Sequence, residues 1–326
     1  MLRRLLPDPF LLVLIATVVV ASILPATGGF ARFVNALAIV TVVLLFFFHG
    51  ARLARDQVAA GLTHWRLHLV ILGATFVMFP AFGLGAEKAL PSLLPPTLWL
   101  GVLYLCALSS TVQSAIAFVS VARGNVPAAI ASASASQLLG IVITPVLMGL
   151  LAGAHGGGVN LGGIGKVALE ILVPFVAGQL LHPWIGGWVK AHARLTGFTD
   201  RSTIIVSVYG AFSAAVVEGI WHQVPLSGLA VLAAVDAALL AIGLSATWGL
   251  GRLFGFDRAD RITIQFCGTK KSLIQGVPMA RVLFPGAELG LVLLPIMLFH
   301  QMQLMACAFI AQRYAAKALP NEGERA

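Results

Sequence analysis

Two adjacent lysines, Lys270 and Lys271, lie within a long apolar stretch of the sequence at about residues 260–284. A lysine at the centre of a membrane-spanning helix costs roughly 2.5–3.5 kcal/mol, and such residues usually have a partner and a function. Roughly ten residues of helix extend about 15 Å, which places both amines near the middle of a bilayer. Extension of one or both side chains to the membrane surface is the alternative. A buried amine here could bind an anionic solute, serve as a fixed cation or carry a proton.

A polar run interrupts another apolar stretch, at about 97–121. It contains Ser109, Ser110, Thr111, Gln113 and Ser114. The stretch with the lysines is interrupted in a similar way by Thr269, Ser272, Gln275, Gly276 and Pro278. Glycine and proline weaken helices, and backbone groups without partners are costly in lipid, so such breaks survive where they line a cavity enclosed by protein. Broken helices at matching positions of two halves indicate a substrate or ion site.

Further polar residues in apolar stretches are weaker candidates: Ser132, Ser134, Ser136, Gln137, Asp236, His300, Gln301 and Gln303. For the serines, close packing of helices through small side chains is the better explanation. Asp236 could partner a lysine or form a plain interhelical hydrogen bond. His300 could line the same cavity, although a buried, hydrogen-bonded histidine is an equally good explanation.

The composition of the chain requires a lipid environment for the apolar stretches that contain these polar residues. Of the 326 residues, 59% are hydrophobic and only 10% are charged, whereas a soluble domain carries about a quarter charged residues. Ten stretches approach the roughly 20 apolar residues that a helix needs to cross a bilayer. They lie at about 9–26, 33–51, 67–86, 97–121, 126–152, 166–186, 202–219, 226–250, 260–284 and 288–314. The sequence therefore predicts an all-α membrane protein with ten transmembrane helices.

The basic residues orient these predicted spans. Fifteen of the 21 lysines and arginines fall on the side of the N-terminus, two lie inside a span, and four fall on the other side: Arg32, Lys88, Lys166 and Arg281. Because an excess of basic residues marks the cytoplasmic side, we expect both termini to be cytoplasmic and the membrane to be the plasma membrane, the inner membrane of a bacterium. The net charge of +9 then needs no nucleic-acid partner, and the sequence has no basic helix or aromatic patch suited to one.

The two halves of the chain resemble each other. Residues 139–145 and 289–295 share the spacing Leu-Gly-x-x-x-x-Pro, and they follow similar segments at 105–110 and 266–271. A five-span repeat has an odd number of spans, so its second copy is inverted in the membrane, as in many secondary transporters. The predicted organisation is a first five-helix repeat at 1–152, a glycine-rich outer loop at 153–165, a second, inverted repeat at 166–314 and a cytoplasmic tail at 315–326.

At several of these positions the chain resembles the bile acid:sodium symporter family (solute carrier family ten and its bacterial relatives). The resemblance is carried by 266–273 (FCGTKKSL), 276–279 (GVPM), 75–80 (TFVMFP), 123–125 (RGN) and 140–145. The segment at 266–279 is similar to the branch that contains human member seven. The resemblance implies a panel of spans one, two, six and seven and a six-helix core, in which spans four and nine are unwound and cross.

The resemblance also implies changes at the family's sodium sites. Bile-acid-transporting relatives bind sodium with a carboxylate and a glutamine in span nine, where this sequence has Phe266 and Lys270. Thr75 stands in place of a further glutamine. One of two sodium sites is therefore expected to be absent. The other, a possible sodium site, would use oxygen atoms without a carboxylate. These come from Gln113, Ser114, Ser132, Ser134, Ser136 and Gln137.

We therefore predict a secondary transporter that moves a small organic solute, plausibly an anion, across the lipid bilayer by alternating access. Sodium coupling is implied by the resemblance, and proton coupling through a lysine is the physical alternative. The rival hypothesis is a non-transporting regulatory membrane protein, since the member-seven branch is associated with calcium homeostasis. An enzyme is not expected, because the sequence has no HExxH, GxSxG or glycine-rich phosphate motif. The predicted binding residues are Ser109, Ser110, Thr111, Gln113, Ser114, Gln137, Asp236, Thr269, Lys270, Lys271, Ser272 and His300.

Overall fold

The structure is a computed structural model that describes residues 9–52, 64–153, 168–219, 226–284, 286 and 288–316. Every regular element in these residues is helical. The helices are α1 (Pro9–Ile23), α2 (Gly28–Arg52), α3 (Trp65–Ala89), α4 (Pro96–Ala107), α5 (Gln113–Val121), α6 (Val126–Gly153), α7 (Val173–Ala191), α8 (Ala193–Val217), α9 (Leu226–Leu253), α10 (Arg258–Thr269), α11 (Leu273–Leu283) and α12 (Leu289–Ala316). Short turns of other helix types lie within α3 (π-helical, Ala74–Met78), before α7 (π-helical, Ala168–Leu172) and before α4 (3-10, Pro91–Leu93).

Six of the described helices are long and apolar enough to cross a bilayer: α2, α3, α6, α7 with its preceding turn, α9 and α12. Two further apolar helices, at Leu12–Ile23 and Pro96–Ala107, are shorter. Large apolar side chains such as Val77, Leu150 and Leu180 are exposed on these helices, as expected for faces in contact with lipid. Because a helix satisfies its own backbone groups, it is a stable way to cross hydrocarbon. The prediction of an all-α, multi-pass membrane protein is confirmed.

The chain divides into two compact units. The first comprises Met1–Leu53, Val159–Leu229 and Gly276–Leu294, and the second comprises Ala54–Gly158, Ala230–Gln275 and Pro295–Ala326. Helices α1, α2, α7 and α8 belong to the first unit, and α3–α6, α10 and most of α9 belong to the second. The predicted glycine-rich loop at 153–165 lies, beyond Gly153, outside the described residues. So does the predicted tail at 315–326, beyond residue 316.

In the first unit, α2 and α7 are in backbone contact. A Cβ atom at Gly50 would lie 2.0 Å from the carbonyl oxygen of Phe175, and one at Gly178 would lie 2.0 Å from the carbonyl oxygen of Phe47. Small residues at such positions let transmembrane helices approach closely. A side chain at either glycine would therefore force the two helices apart.

An ion pair joins α2 to α8 in the same unit. Arg52 Nη1 donates to Asp200 Oδ2 at 3.0 Å, and the aspartate side chain is only 6% exposed. His49 Nδ1 lies 4.0 Å from the other carboxylate oxygen and 2.8 Å from the carbonyl oxygen of Leu45. The positive charge of Arg52 is thus compensated by the carboxylate of Asp200.

In the second unit two helical paths are interrupted. Residues 108–112 separate α4 from α5, and residues 270–272 separate α10 from α11. Leu108 and Lys270, which follow the ends of α4 and α10, have extended backbones with ψ of 153° and 144°. These are the two segments that the polar runs predicted to be broken. Each interruption leaves helix-end carbonyl and amide groups in need of partners.

Candidate functional site

The two breaks contact each other within the second unit. The backbone N–H of Ser272 donates to the carbonyl oxygen of Ser109 at 2.9 Å. The hydroxyl of Ser109 in turn donates to Oε1 of Gln275, whose Nε2 donates to the carbonyl oxygen of Gln137 in α6 at 2.9 Å. The hydroxyl of Ser272 accepts from the backbone N–H of Gln275 at 3.3 Å. The predicted polar runs therefore lie together, and their side chains replace helical hydrogen bonds.

Lys271 has its ammonium enclosed by backbone oxygens. Its Nζ donates to the carbonyl oxygens of Thr75 at 2.9 Å, Cys106 at 2.8 Å and Leu108 at 2.9 Å. It also lies 4.5 Å from the centre of the Phe79 ring, and the residue is fully buried. Three donated hydrogen bonds require three N–H groups, which the protonated amine has and the neutral amine lacks. The geometry therefore fits a protonated lysine.

The position of Lys271 complements the broken end of α4. The carbonyl groups in the last turn of a helix have no helical partner and carry partial negative charge. Cys106 lies in that last turn, and Leu108 lies just beyond it. An ammonium here supplies the missing donors and the opposite charge at once. This interaction makes Lys271 a structural cation of the break.

The backbone of Lys271 is paired with a side-chain amide. Its N–H donates to Gln303 Oε1 at 2.8 Å, and Gln303 Nε2 donates back to its carbonyl oxygen at 2.9 Å. The same Nε2 lies 2.9 Å from Nδ1 of His300, which is half-buried. Gln303, predicted as a cavity-lining residue, is fully buried in α12 and acts as a substitute for the backbone partner that the break removes.

Lys270 is also fully buried, but its ammonium is in a different environment. Among the described residues its Nζ has no hydrogen-bond partner. It lies 4.2 Å from the centre of the Phe118 ring in α5. A cation–π contact attracts an ammonium but does not satisfy its N–H groups. Lys270 is therefore the lysine whose amine is available to bind an anion or to gain and lose a proton.

The residues of the predicted sodium site differ in their contacts and burial. The hydroxyl of Ser136 accepts from the backbone N–H of Ser110 at 3.0 Å, and the hydroxyls of Thr111 and Ser114 are 2.8 Å apart. Ser134 is half-buried, whereas Gln113 is exposed. Oxygen atoms that accept one hydrogen bond retain a second lone pair, so the chemistry remains compatible with sodium. Within the described part of the chain, His, Cys, Asp and Glu form no metal-binding group of three or more.

Two further predicted site residues are Thr269 and Asp236. Thr269 shares a 3.0 Å contact between its hydroxyl and that of Thr247 in α9. Asp236 is fully buried in α9, and neither carboxylate oxygen has a hydrogen-bond partner among the described residues. The structure therefore does not show the ion pair between Asp236 and a lysine that the sequence suggested.

Several functional contacts gave no signal in the sequence. The three carbonyl acceptors of Lys271 are backbone atoms, so no residue type identifies them. Thr75 contributes its carbonyl oxygen from the π-helical turn of α3, while its hydroxyl donates to the carbonyl oxygen of Ile71 at 2.8 Å. Phe118 and Phe79, which flank the two ammonium groups, are ordinary apolar residues in the sequence. Gln275 belongs to the polar run at 269–278, which was the only available indication of its role.

The chain matches one family and several known proteins over nearly its whole length. The sequence model of the SBF-like CPA transporter family matches residues 8–316. An uncharacterized protein of Pseudomonas aeruginosa, PA2026, is 52% identical over 315 residues, which cover 96% of this chain and 95% of that protein. The protein named "Putative symporter YfeH" of Escherichia coli (strain K12) is 50% identical over 307 residues, 94% and 92% of the two chains. Sodium/bile acid cotransporter 7 of Mus musculus is 27% identical over 312 residues, also 94% and 92%.

Proposed function

The chain belongs to the SBF-like CPA transporter family, and from this premise we propose that it moves a small organic anion across the membrane by alternating access. The observation that carries the choice of an anion is Lys270, a fully buried ammonium without a hydrogen-bond acceptor among the described residues. A carboxylate or sulfonate of a solute would supply that acceptor. Charge-assisted hydrogen bonds are the strong ones in proteins, and they gain strength away from water.

The local charge supports the same choice. Lys271 adds a second positive charge beside Lys270, and its acceptors are neutral carbonyl groups. Asp236, the buried acid of α9, forms no ion pair with either lysine in the described structure. The crossing of the breaks therefore keeps an uncompensated positive charge, which favours an anionic solute over a neutral or cationic one.

For the architecture, we propose ten spans in two inverted five-helix repeats, 1–152 and 166–314. Helices α1, α2, α7 and α8 would form the panel, and their grouping in one compact unit supports this assignment. The breaks at 108–112 and 270–272 would be the equivalent interruptions of spans four and nine. The distribution of basic residues supports cytoplasmic termini, in the inner membrane of a bacterium.

For the coupling ion, we propose that Lys271 is not the carrier, because its amine already donates hydrogen bonds to three carbonyl oxygens. Sodium then remains the candidate supported by the name of the mouse relative, with ligands among Gln113, Ser114, Ser134, Ser136 and Gln137. Protons carried by Lys270 are the second candidate, supported by its lack of acceptors. A non-transporting regulatory role is not favoured, since the matching family is one of transporters.

The experiment begins with a thermal-shift screen of organic anions, including the bile acid taurocholate, against the purified protein. Anions that stabilise it are then tested for uptake into proteoliposomes by the wild type and by Lys270→Met and Lys270→Arg. Because a hydrogen bond to a charged group contributes ~1.5–3 kcal/mol, we expect Lys270→Met to weaken anion binding roughly 10- to 100-fold. Lys270→Arg keeps the positive charge, so this variant should retain part of the affinity for the anion.

Two further conditions identify the coupling ion. Uptake that stops when sodium is replaced by choline, and persists when the pH gradient is collapsed, indicates sodium. The reverse result indicates protons. Full anion uptake by a correctly folded Lys270→Met variant would show that the lysine-centred site is wrong.

A further inference from the structure

An aromatic platform at the end of α9 carries several arginines in the second unit. The guanidinium carbon of Arg252 lies 5.7 Å from the centre of the Trp248 ring, and that of Arg261 lies 5.6 Å from it. The ring of Tyr314 stacks on Trp248 with 5.3 Å between centres. Arg258 Nη2 donates to the carbonyl oxygen of Tyr314 at 2.9 Å. We call these five residues the arginine–tryptophan cluster.

The arginines of this cluster have no carboxylate partner in the described part of the chain. Asp200 of the first unit forms ion pairs with His49 and Arg52, and none of the three arginines of the cluster takes part in them. The two nearby acids have other roles: Asp257 accepts from the backbone N–H of Asp260 as the cap of α10, and Asp260 accepts from Nδ2 of Asn125 at 2.8 Å. Three arginines therefore gather at one platform, and the nearby carboxylates of Asp257 and Asp260 form no ion pair with them in the described residues.

The cluster lies where a membrane-spanning helix ends. The apolar helix Ser227–Leu253 finishes beside it, and the next side chains are large and exposed: Leu253 is 77% exposed and Phe254 is 48% exposed. Tryptophan and tyrosine are enriched at this depth because they are apolar with a polar edge. In such a position the arginines can bind the phosphate of a lipid, while the exposed apolar side chains contact its acyl chains.

We propose that the arginine–tryptophan cluster binds the headgroup of an anionic phospholipid from the leaflet that faces it. A guanidinium group can donate two parallel hydrogen bonds to two oxygens of one phosphate, and its positive charge complements the negative charge of that phosphate. The Trp248 ring holds two of the three guanidinium groups in place, which reduces the entropy lost on binding. The site is separate from the lysine-centred site, so this proposal does not depend on the transported solute.

The test measures lipid binding to the purified protein by native mass spectrometry and by thermal shift. The probes are phosphatidylglycerol, phosphatidylcholine and water-soluble glycerol 3-phosphate. We expect the wild type to retain phosphatidylglycerol in preference to phosphatidylcholine and to gain thermal stability from it. The Arg252→Gln/Arg261→Gln variant should bind phosphatidylglycerol more weakly, by roughly fivefold for each arginine removed.

The matched control is Lys190→Gln/Arg194→Gln, which removes two exposed charges at the adjoining ends of α7 and α8 in the first unit. It should keep the preference of the wild type. Equal retention of phosphatidylglycerol and phosphatidylcholine by the wild type would overturn the proposal without any variant. So would equal losses in the two double variants, or a stabilisation by glycerol 3-phosphate as large as that by the lipid.

Discussion

The two units of the molecule compensate a cation in different ways. In the first unit, Arg52 faces the carboxylate of Asp200 at 3.0 Å, so the two charges cancel. In the second unit, Lys271 faces three neutral carbonyl oxygens, and Lys270 faces only an aromatic ring. The first arrangement removes charge from the interior, whereas the second keeps it there.

The difference is the basis of the separate roles that we propose for the two lysines. A cation paired with a carboxylate has little attraction left for a third partner. A cation held by carbonyl groups stabilises its surroundings and still presents a full charge to an anion. The second unit uses Lys271 in that way and leaves Lys270 beside it with N–H groups available. Three substitutions break this comparison at different points.

The largest loss of stability is expected for Lys271→Met. Methionine fills similar volume but leaves the carbonyl groups of Thr75, Cys106 and Leu108 buried without their donor. Each unsatisfied buried group costs ~1–3 kcal/mol, so the free energy of unfolding should fall by at least ~3 kcal/mol. Thermal unfolding in detergent measures the change, with exposed Lys190→Met as the control. An unchanged unfolding temperature would show that the carbonyl contacts do not support the break.

A smaller loss is expected for Asp200→Asn, which removes the carboxylate from Arg52. The arginine side chain is 27% exposed, so water compensates part of the lost interaction and we expect a loss of about 1–2 kcal/mol. The double variant Arg52→Met/Asp200→Asn should recover part of that loss, because no unpaired cation remains. Additive losses in this double-mutant cycle would contradict direct pairing.

The smallest change in stability is expected for Lys270→Met. Its ammonium gains ~0.5–2 kcal/mol from the Phe118 ring and loses a similar or larger amount by burial without an acceptor. The unfolding temperature should therefore stay the same or rise, while anion binding falls. A large fall in the unfolding temperature would instead place Lys270 with Lys271 as a structural residue.

Much of the fold follows from the sequence. The all-α, membrane-spanning character follows from 59% hydrophobic and 10% charged residues, because such a chain has too few charged side chains to form a water-exposed surface. Both breaks are indicated by polar runs, glycine and proline inside apolar stretches. Those signals are local, so they can be recognised in the sequence without knowledge of the three-dimensional structure.

The division of roles between the two lysines could not be predicted in this way. Adjacent residues of a helix point about 100° apart, but the extended backbone at 270–272 sets new directions that depend on the neighbouring segments. The resemblance to the bile acid:sodium symporter family predicts that Lys270 stands where those relatives have a sodium ligand, whereas the structure brings Lys271 to the carbonyl oxygen of Thr75. Backbone acceptors have no sequence signature, and for this reason the partner of a buried lysine was sought in Asp236.

The contacts of Lys271 also have a consequence for the order of assembly. Its three acceptors lie 163 to 196 residues earlier in the chain. During synthesis, the carbonyl groups at the end of α4 are made and inserted long before the lysine that binds them. The second unit can therefore close only after its late helices arrive, and an incomplete chain carries an open, polar helix end in the membrane. The end of α4 therefore gains this donor only after Lys271 has been synthesised.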